Sequence, residues 1–155
     1  MKTFFDDVAA FHEKFGLTVE DPHRGPRLVL GELALLRQAR TYEEQHEYEN
    51  ATNQAHAALK AGDIDLVTKL LAEQVDALVD LVYIVLGTAY LHGFDFNEAW
   101  RRVHEKNMEK VRAERAEQSK HGSTFDIIKP AGWEPPNHLD LVINNFHSSS
   151  PYSGD

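Results

Sequence analysis

Residues Ala77 to Leu91 read Ala-Leu-Val-Asp-Leu-Val-Tyr-Ile-Val-Leu-Gly-Thr-Ala-Tyr-Leu, apolar on every side except for one carboxylate, Asp80. A helix of this composition is expected to be buried on most of its circumference. An ionised carboxylate there needs a charged partner or a metal ion. Glu73 and Asp76 lie upstream, and at about 100° per residue positions 73, 76 and 80 fall on one stripe that continues through Tyr83 and Gly87.

A second acidic cluster, Tyr42-Glu43-Glu44-Gln45-His46-Glu47, precedes it. Glu44 and Glu47 are three residues apart and Glu43 and Glu47 four, so both pairs share a helical face. Alone, such a cluster reads as a solvated acidic face. Packed antiparallel against the Asp80 stripe, it brings four or more carboxylates into a partly dry cleft with no basic residue among them, where a cation would hold them. Oxygen ligands without Cys select a hard ion, Mg²⁺ or Mn²⁺, rather than zinc.

A chain of 155 residues with 42% hydrophobic content suits one all-α domain with a full core, expected over residues 1–145, with 146–155 as a disordered tail. The absence of Cys removes disulfide and thiolate chemistry and fits a reducing cytoplasm. No basic, long-apolar leader opens the chain, so no signal peptide is expected. The Ala77–Leu91 run is shorter than the roughly 20 residues a bilayer span needs, so a soluble, cytoplasmic protein with no membrane partner is expected. A net charge of −9 argues against a nucleic-acid-binding surface. It leaves room for a polyphosphate bound through a bridging cation.

Along the chain, Phe4, Val8, Phe11 and Phe15 predict an amphipathic helix ended by Gly16. His12 on its edge is either a rim residue or a contact for a ligand base. Leu17 to Arg27, with Pro22, Gly25 and Pro26, predicts a loop. A long second helix follows to Ala61, with Leu28, Leu33, Leu36 and Tyr42 toward the core and with Arg37 and Arg40 either reaching phosphate or solvated. Gly62-Asp63 predicts a stop and an N-cap, and a third helix runs from Ile64 to Leu91. Asp95 and Glu98 have capping-box spacing for a fourth helix, expected to reach about Glu117. Lys129 to Pro136 reads as an ordered loop, and Ser148 to Asp155 as disordered.

Taken in order, the Glu43-Glu44-x-x-Glu47 cluster, Asp76-Ala-Leu-Val-Asp80-Leu-Val-Tyr83, Gly93-Phe-Asp95, Val103-x-x-x-Asn107-Met-x-Lys110 and Lys129-Pro-x-Gly132-Trp133 resemble the all-α nucleoside triphosphate pyrophosphohydrolases. This MazG-like group also contains dimeric dUTPases and phosphoribosyl-ATP pyrophosphohydrolases. The resemblance covers residues 4 to 140 and is closest to small single-domain members from phages and some bacteria. It implies a four-to-five-helix bundle with an extended C-terminal tail, and Mg²⁺- or Mn²⁺-dependent hydrolysis of a nucleoside triphosphate to the monophosphate and pyrophosphate. Glu44, Glu47, Asp76 and Asp80 would hold the ions, and Glu43 would orient or deprotonate the water, with Glu44 beside it. Asn107 and Lys110 match phosphate- and sugar-side positions. Lys129 and Trp133 lie on a tail segment that closes over the nucleotide, unless Trp133 is a hydrophobic plug holding the tail.

One departure stands out. The family pattern places an acid three residues before Asp80, where this chain has Ala77, so either Asp76 or Glu73 fills that role. The resemblance also implies a homodimer or homotetramer. It gives a weak preference for dGTP or GTP, with dUTP or dCTP as the alternative. A carboxylate-bridged di-iron bundle needs Glu-x-x-His on two helices, and only Glu43-x-x-His46 is present. A non-catalytic helical interaction module is the competing reading from another class.

Overall fold

The computed structural model describes residues 2–17 and 25–146, and their regular structure is helical apart from one short β ladder. The chain divides into two units, Met1–Phe94 and Asp95–Asp155.

In the first unit α1 covers Phe4–Phe15, α2 Gly31–Ala61 and α3 Ile64–His92. The boundaries follow local chemistry. Thr3 and Asp6 exchange hydrogen bonds in a capping box at the start of α1, and Gly16 closes it. Gly62 ends α2, and the Asp63 carboxylate accepts from the Leu66 N–H at 3.0 Å to begin α3. Two residues therefore reverse the chain, and α2 and α3 pack as an antiparallel hairpin.

Small residues build the seam of that hairpin. Ala51, Ala55 and Ala58 on α2 are buried, as are Leu70 and Ala77 on α3, and Val67 packs beside Ala55, Ala58 and Leu70. The large apolar residues expected to line the core of the second helix lie elsewhere. Leu28, Leu36 and Tyr42 are 66, 53 and 70% exposed, and Leu33 is half-buried. Helices that meet through alanine faces approach closely, which leaves bulky side chains on the flanks. The same holds for α3: Ala77, Leu86, Gly87, Ala89, Tyr90 and Leu91 are buried while Val75, Val79 and Val82 are exposed. Within one chain the apolar run is covered on one side, not around most of its circumference.

On α1 only Val8 and His12 are buried, whereas Phe4 and Phe15 are exposed. Val8 and an edge-on contact of Phe11 with Tyr83, 5.4 Å between ring centroids, seat α1 on α3. The segment entering α2 is clipped to the end of α3. The Arg27 N–H donates to His92 O at 2.8 Å, and His92 Nδ1 donates back to Arg27 O at 2.9 Å. Part of the expected Leu17–Arg27 loop, residues 18–24, lies outside the described residues.

The second unit holds α4 (Phe96–Met108), β1 (Val111–Arg112), a 3₁₀ turn at Ala116–Gln118, β2 (Ile127–Ile128) and α5 (Leu139–Phe146). The fourth helix thus stops at Met108 rather than near Glu117. Long-range pairing ends it: Val111 and Arg112 lie antiparallel to Ile128 and Ile127, and the Ala113 N–H donates to Asp126 O at 2.9 Å. The expected disordered stretch from Ser148 lies outside the described residues.

Asp95 caps α4 through the Glu98 N–H at 3.1 Å, but Glu98 does not complete the box. Its carboxylate turns to Arg101 and Arg102, and Arg102 in turn grips Asp140 of α5 through two hydrogen bonds of 2.6 and 2.7 Å. Those arginines hold the Glu98 carboxyl at about 2, below its ordinary 4.5. A depressed carboxyl pKa stabilises the fold above the unfolded value and loses that contribution as pH falls through the folded one. The protection factor of the amides in the first turn of α4, the slowing of exchange relative to the unfolded chain at the same pH, is therefore expected to fall between pH 4.5 and about 2. A Glu98→Gln variant should show no such step; if it shows the same one, another group is responsible.

Candidate active site

The expected acids are carried by the hairpin of α2 and α3. Its register is fixed by the alanine seam at one end and by Arg37 on Thr88 and Ile84 at the other. Between these, Glu44 and Glu47 on α2 face Asp80 and Asp76 on α3. Glu44 is the buried member, 8% exposed, and its Oε2 is enclosed with no hydrogen-bond partner. Burial raises its pKa first, followed by the negative charges of Glu47, Asp80 and Glu43, with Arg40 opposing. Asp80, expected to be the buried carboxylate, is exposed. The seam shelters the α2 side of the cleft, so the uncompensated charge sits on Glu44 instead.

One turn along, Glu47 shares a cleft of about 270 Å³ with Asn50, Ala51, Gln54, Glu73 and Asp76. Both acids considered for the displaced family position, Glu73 and Asp76, therefore line the same cleft. Among the described residues no three His, Asp or Glu side chains are gathered into an ion-holding set. The acids form two facing rows rather than a closed cage. Glu43 points outward and pairs with Arg40 at 2.9 Å.

The donor chemistry fits a hard divalent cation. An enclosed carboxylate oxygen without a partner, surrounded by further carboxylates, is costly unless a positive charge meets it. All-oxygen ligands suit Mg²⁺ or Mn²⁺.

His12, considered for contact with a base, is instead an interior residue. It is 4% exposed, its Nδ1 donates to Leu17 O at 2.8 Å, and its ring packs on Tyr90 at 5.0 Å. Burial, and then the Arg37 charge, push its pKa down against the opposing hydrogen bond to Leu17. The sequence left Arg37 and Arg40 as equivalents, but the structure separates them. Arg40 is on the surface with Glu43, while Arg37 turns inward, with Nε on Thr88 Oγ1 at 3.0 Å and Nη2 on Ile84 O at 2.5 Å. Its partner Thr88 was not singled out from the sequence. The signal was Gly87-Thr88 interrupting an apolar run: a Cβ at 87 would lie 2.6 Å from His12 Nε2 and 2.8 Å from Arg37 Nη2.

In the second unit the four remaining candidates come together. Lys110 Nζ donates to Asn107 Oδ1 at 2.7 Å, and the ammonium groups of Lys110 and Lys129 lie 5.2 and 4.6 Å from the centroid of the Trp133 ring. The Trp133 indole N–H donates to Lys106 O at 2.9 Å, at the C-terminal end of α4. Trp133 thus fastens the tail segment to α4 and gathers two cations on its ring, one of them bonded to the Asn107 amide.

A helical chain with facing rows of acids on an antiparallel hairpin belongs among the all-α nucleoside triphosphate pyrophosphohydrolases. The model of the phosphoribosyl-ATP pyrophosphohydrolase family matches residues 8–107, and the chain belongs to that family. Its activity is that of a nucleotide pyrophosphohydrolase, a hydrolase acting on acid anhydrides. The match ends at Asn107, short of the 4–140 span of the resemblance, so Lys110, Lys129 and Trp133 lie beyond the matched residues. No curated protein matches the chain. Among the described residues no helix is long and apolar enough to cross a membrane.

Proposed function

We propose that this chain hydrolyses (deoxy)nucleoside triphosphates to the monophosphate and pyrophosphate with Mg²⁺ or Mn²⁺, adjusting a nucleotide pool. The observation that supports this most is the enclosed, partnerless oxygen of Glu44 facing further acids. Glu44, Glu47, Asp76 and Asp80 would hold the cation. When bound, it supplies bridging of phosphate oxygens and neutralisation of the charge that develops during in-line displacement.

The chain's own groups supply the rest. Glu43, once it leaves Arg40, with Glu44 beside it, would orient the attacking water and take its proton. Lys110, Lys129 and Asn107 offer two ammonium groups and an amide to phosphate and sugar oxygens. Trp133 holds these lysines in place. We take His12 to seat α1 rather than to touch the base. The base preference stays with dGTP or GTP, by resemblance, with dUTP or dCTP as the alternative. The exposed valines of α3 support a homodimer or homotetramer, a reading that a monomeric elution profile at micromolar concentration overturns.

The test is release of pyrophosphate and orthophosphate from the common NTPs and dNTPs, dUTP and phosphoribosyl-ATP, with Mg²⁺, Mn²⁺ or chelator. Metal-dependent pyrophosphate release favouring one base is expected. Orthophosphate release would mean that a different bond is cut. No release by the folded, metal-supplied protein leaves the interaction module as the better account.

A further inference from the structure

Arg37 is a cation of the first unit that turns into the helical packing instead of toward the acid cleft. Its guanidinium is half-buried, and its hydrogen bonds go to a hydroxyl and a main-chain carbonyl. Among the described residues no carboxylate pairs with it, and its pKa is lowered by burial and by the like charge of Arg40. Burying a cation without an anion is costly.

The guanidinium borders a cleft of about 290 Å³ lined also by Gln38, Thr41, Thr88 and His92. Among the described residues no acidic side chain lines it. The donors facing it can be counted. Thr41 and Thr88 spend their hydroxyl protons on Arg37 O and Ile84 O, and His92 spends its Nδ1 proton on Arg27 O. That leaves the Nη1 side of Arg37, which makes no hydrogen bond among the described residues, and the Gln38 amide. A planar, permanently charged fork with a neutral amide beside it suits an oxyanion. Gly87 makes room for the arrangement, since a Cβ there would meet both Arg37 and His12. Arg37 precedes Glu44 by seven residues, so at about 1.5 Å per residue this cleft stands roughly 10 Å along α2 from the acids.

We propose that the cleft at Arg37 is an oxyanion site, taking a phosphate group through the Arg37 guanidinium and the Gln38 amide. The phosphate arrives either free or as a monoester on the nucleotide, remote from the bond that is cut. Only the second source rests on the hydrolase reading.

The site is tested by calorimetric titration of the full chain with inorganic phosphate in chelator, so that no metal and no turnover are involved. Arg37→Ala removes the α2–α3 clamp along with the charge, so Gln38→Glu is the primary variant: it places a carboxylate beside the guanidinium at an exposed position. Saturable phosphate binding by the parent chain is expected, weakened at least tenfold in Q38E with an unchanged circular dichroism spectrum. No binding by the parent chain overturns the site. So does binding that survives Q38E and is lost in Lys110→Ala, which would put the anion on the second unit. The source is then read from hydrolysis of ATP and of its 3′-phosphorylated analogue. A tenfold loss of kcat/KM in Q38E confined to the analogue assigns a substrate-borne phosphate. Equal kcat/KM for the two nucleotides, with free phosphate altering the parent's rate but not that of Q38E, assigns a free one.

Discussion

Glu44→Gln is expected to stabilise the metal-free chain and to abolish its activity. The amide keeps the shape of the side chain while removing a charge that is enclosed, partnerless and repelled by Glu47, Asp80 and Glu43. Replacing an uncompensated buried charge gains about 1 kcal/mol, a rise of roughly 3 °C in Tm for a chain of this size. Pyrophosphate release should fall by about a hundredfold or more, as when a group handling protons or charge at the reacting centre is lost.

The pH dependence has a definite sign. A carboxyl whose pKa is raised by folding penalises the fold at pH above that value and releases the penalty as pH falls through it. The metal-free parent should therefore gain stability on mild acidification, and the Gln variant should not. Asp80→Asn separates the two effects, because Asp80 is exposed: its turnover should drop with little change in Tm. A less stable Glu44→Gln variant in chelator would show that the enclosed charge is compensated, and a fully active one that Glu44 is outside the machinery.

The largest structural penalty is expected at Gly93. It ends α3 with φ 67, and a Cβ there would lie 2.5 Å from Gly25 O and 3.0 Å from Gly25 C, both main-chain atoms. Gly93→Ala thus adds a forced shift of the clip between residues 25–27 and His92 to a left-handed strain of about 1 kcal/mol or more. The total should be about 3 kcal/mol, read from the denaturant midpoint. Gly62→Ala is the control: φ is 79 and no atom stands within 4 Å, so only the conformational part is expected. Equal losses in the two variants would show that the approach to Gly25 carries no weight.

The first three helices were legible because their ends are written in short-range chemistry: Thr3 and Gly16, Gly62 and Asp63, and Gly93. The end of α4 was not. Lys110 to Glu114 carries no Gly or Pro, and what stops the helix is pairing with residues more than a dozen positions later. The eight-residue α5 is likewise fixed by Arg102 reaching Asp140, a contact no local pattern contains. The acid rows were legible as rows, since 73, 76 and 80 share a stripe and Glu44 and Glu47 another. Which acid is enclosed was not, because that depends on the alanines that set the seam. Nor did the sequence tell an inward Arg37 from an outward Arg40, a choice made by Thr88 on the opposite helix.

Since Ala51, Ala55, Ala58 and Ala77 bring α2 and α3 together, the gap between the two rows of acids is a property of the backbone rather than of any side chain able to repack. One added methylene at that seam moves every facing acid at once. Inheritance of the activity is therefore brittle at positions that carry no chemistry, and forgiving on the flank of α2 where Leu36 and Tyr42 are exposed. Such a chain can vary its outer surface while the spacing of the acids is kept or lost as a single indivisible trait.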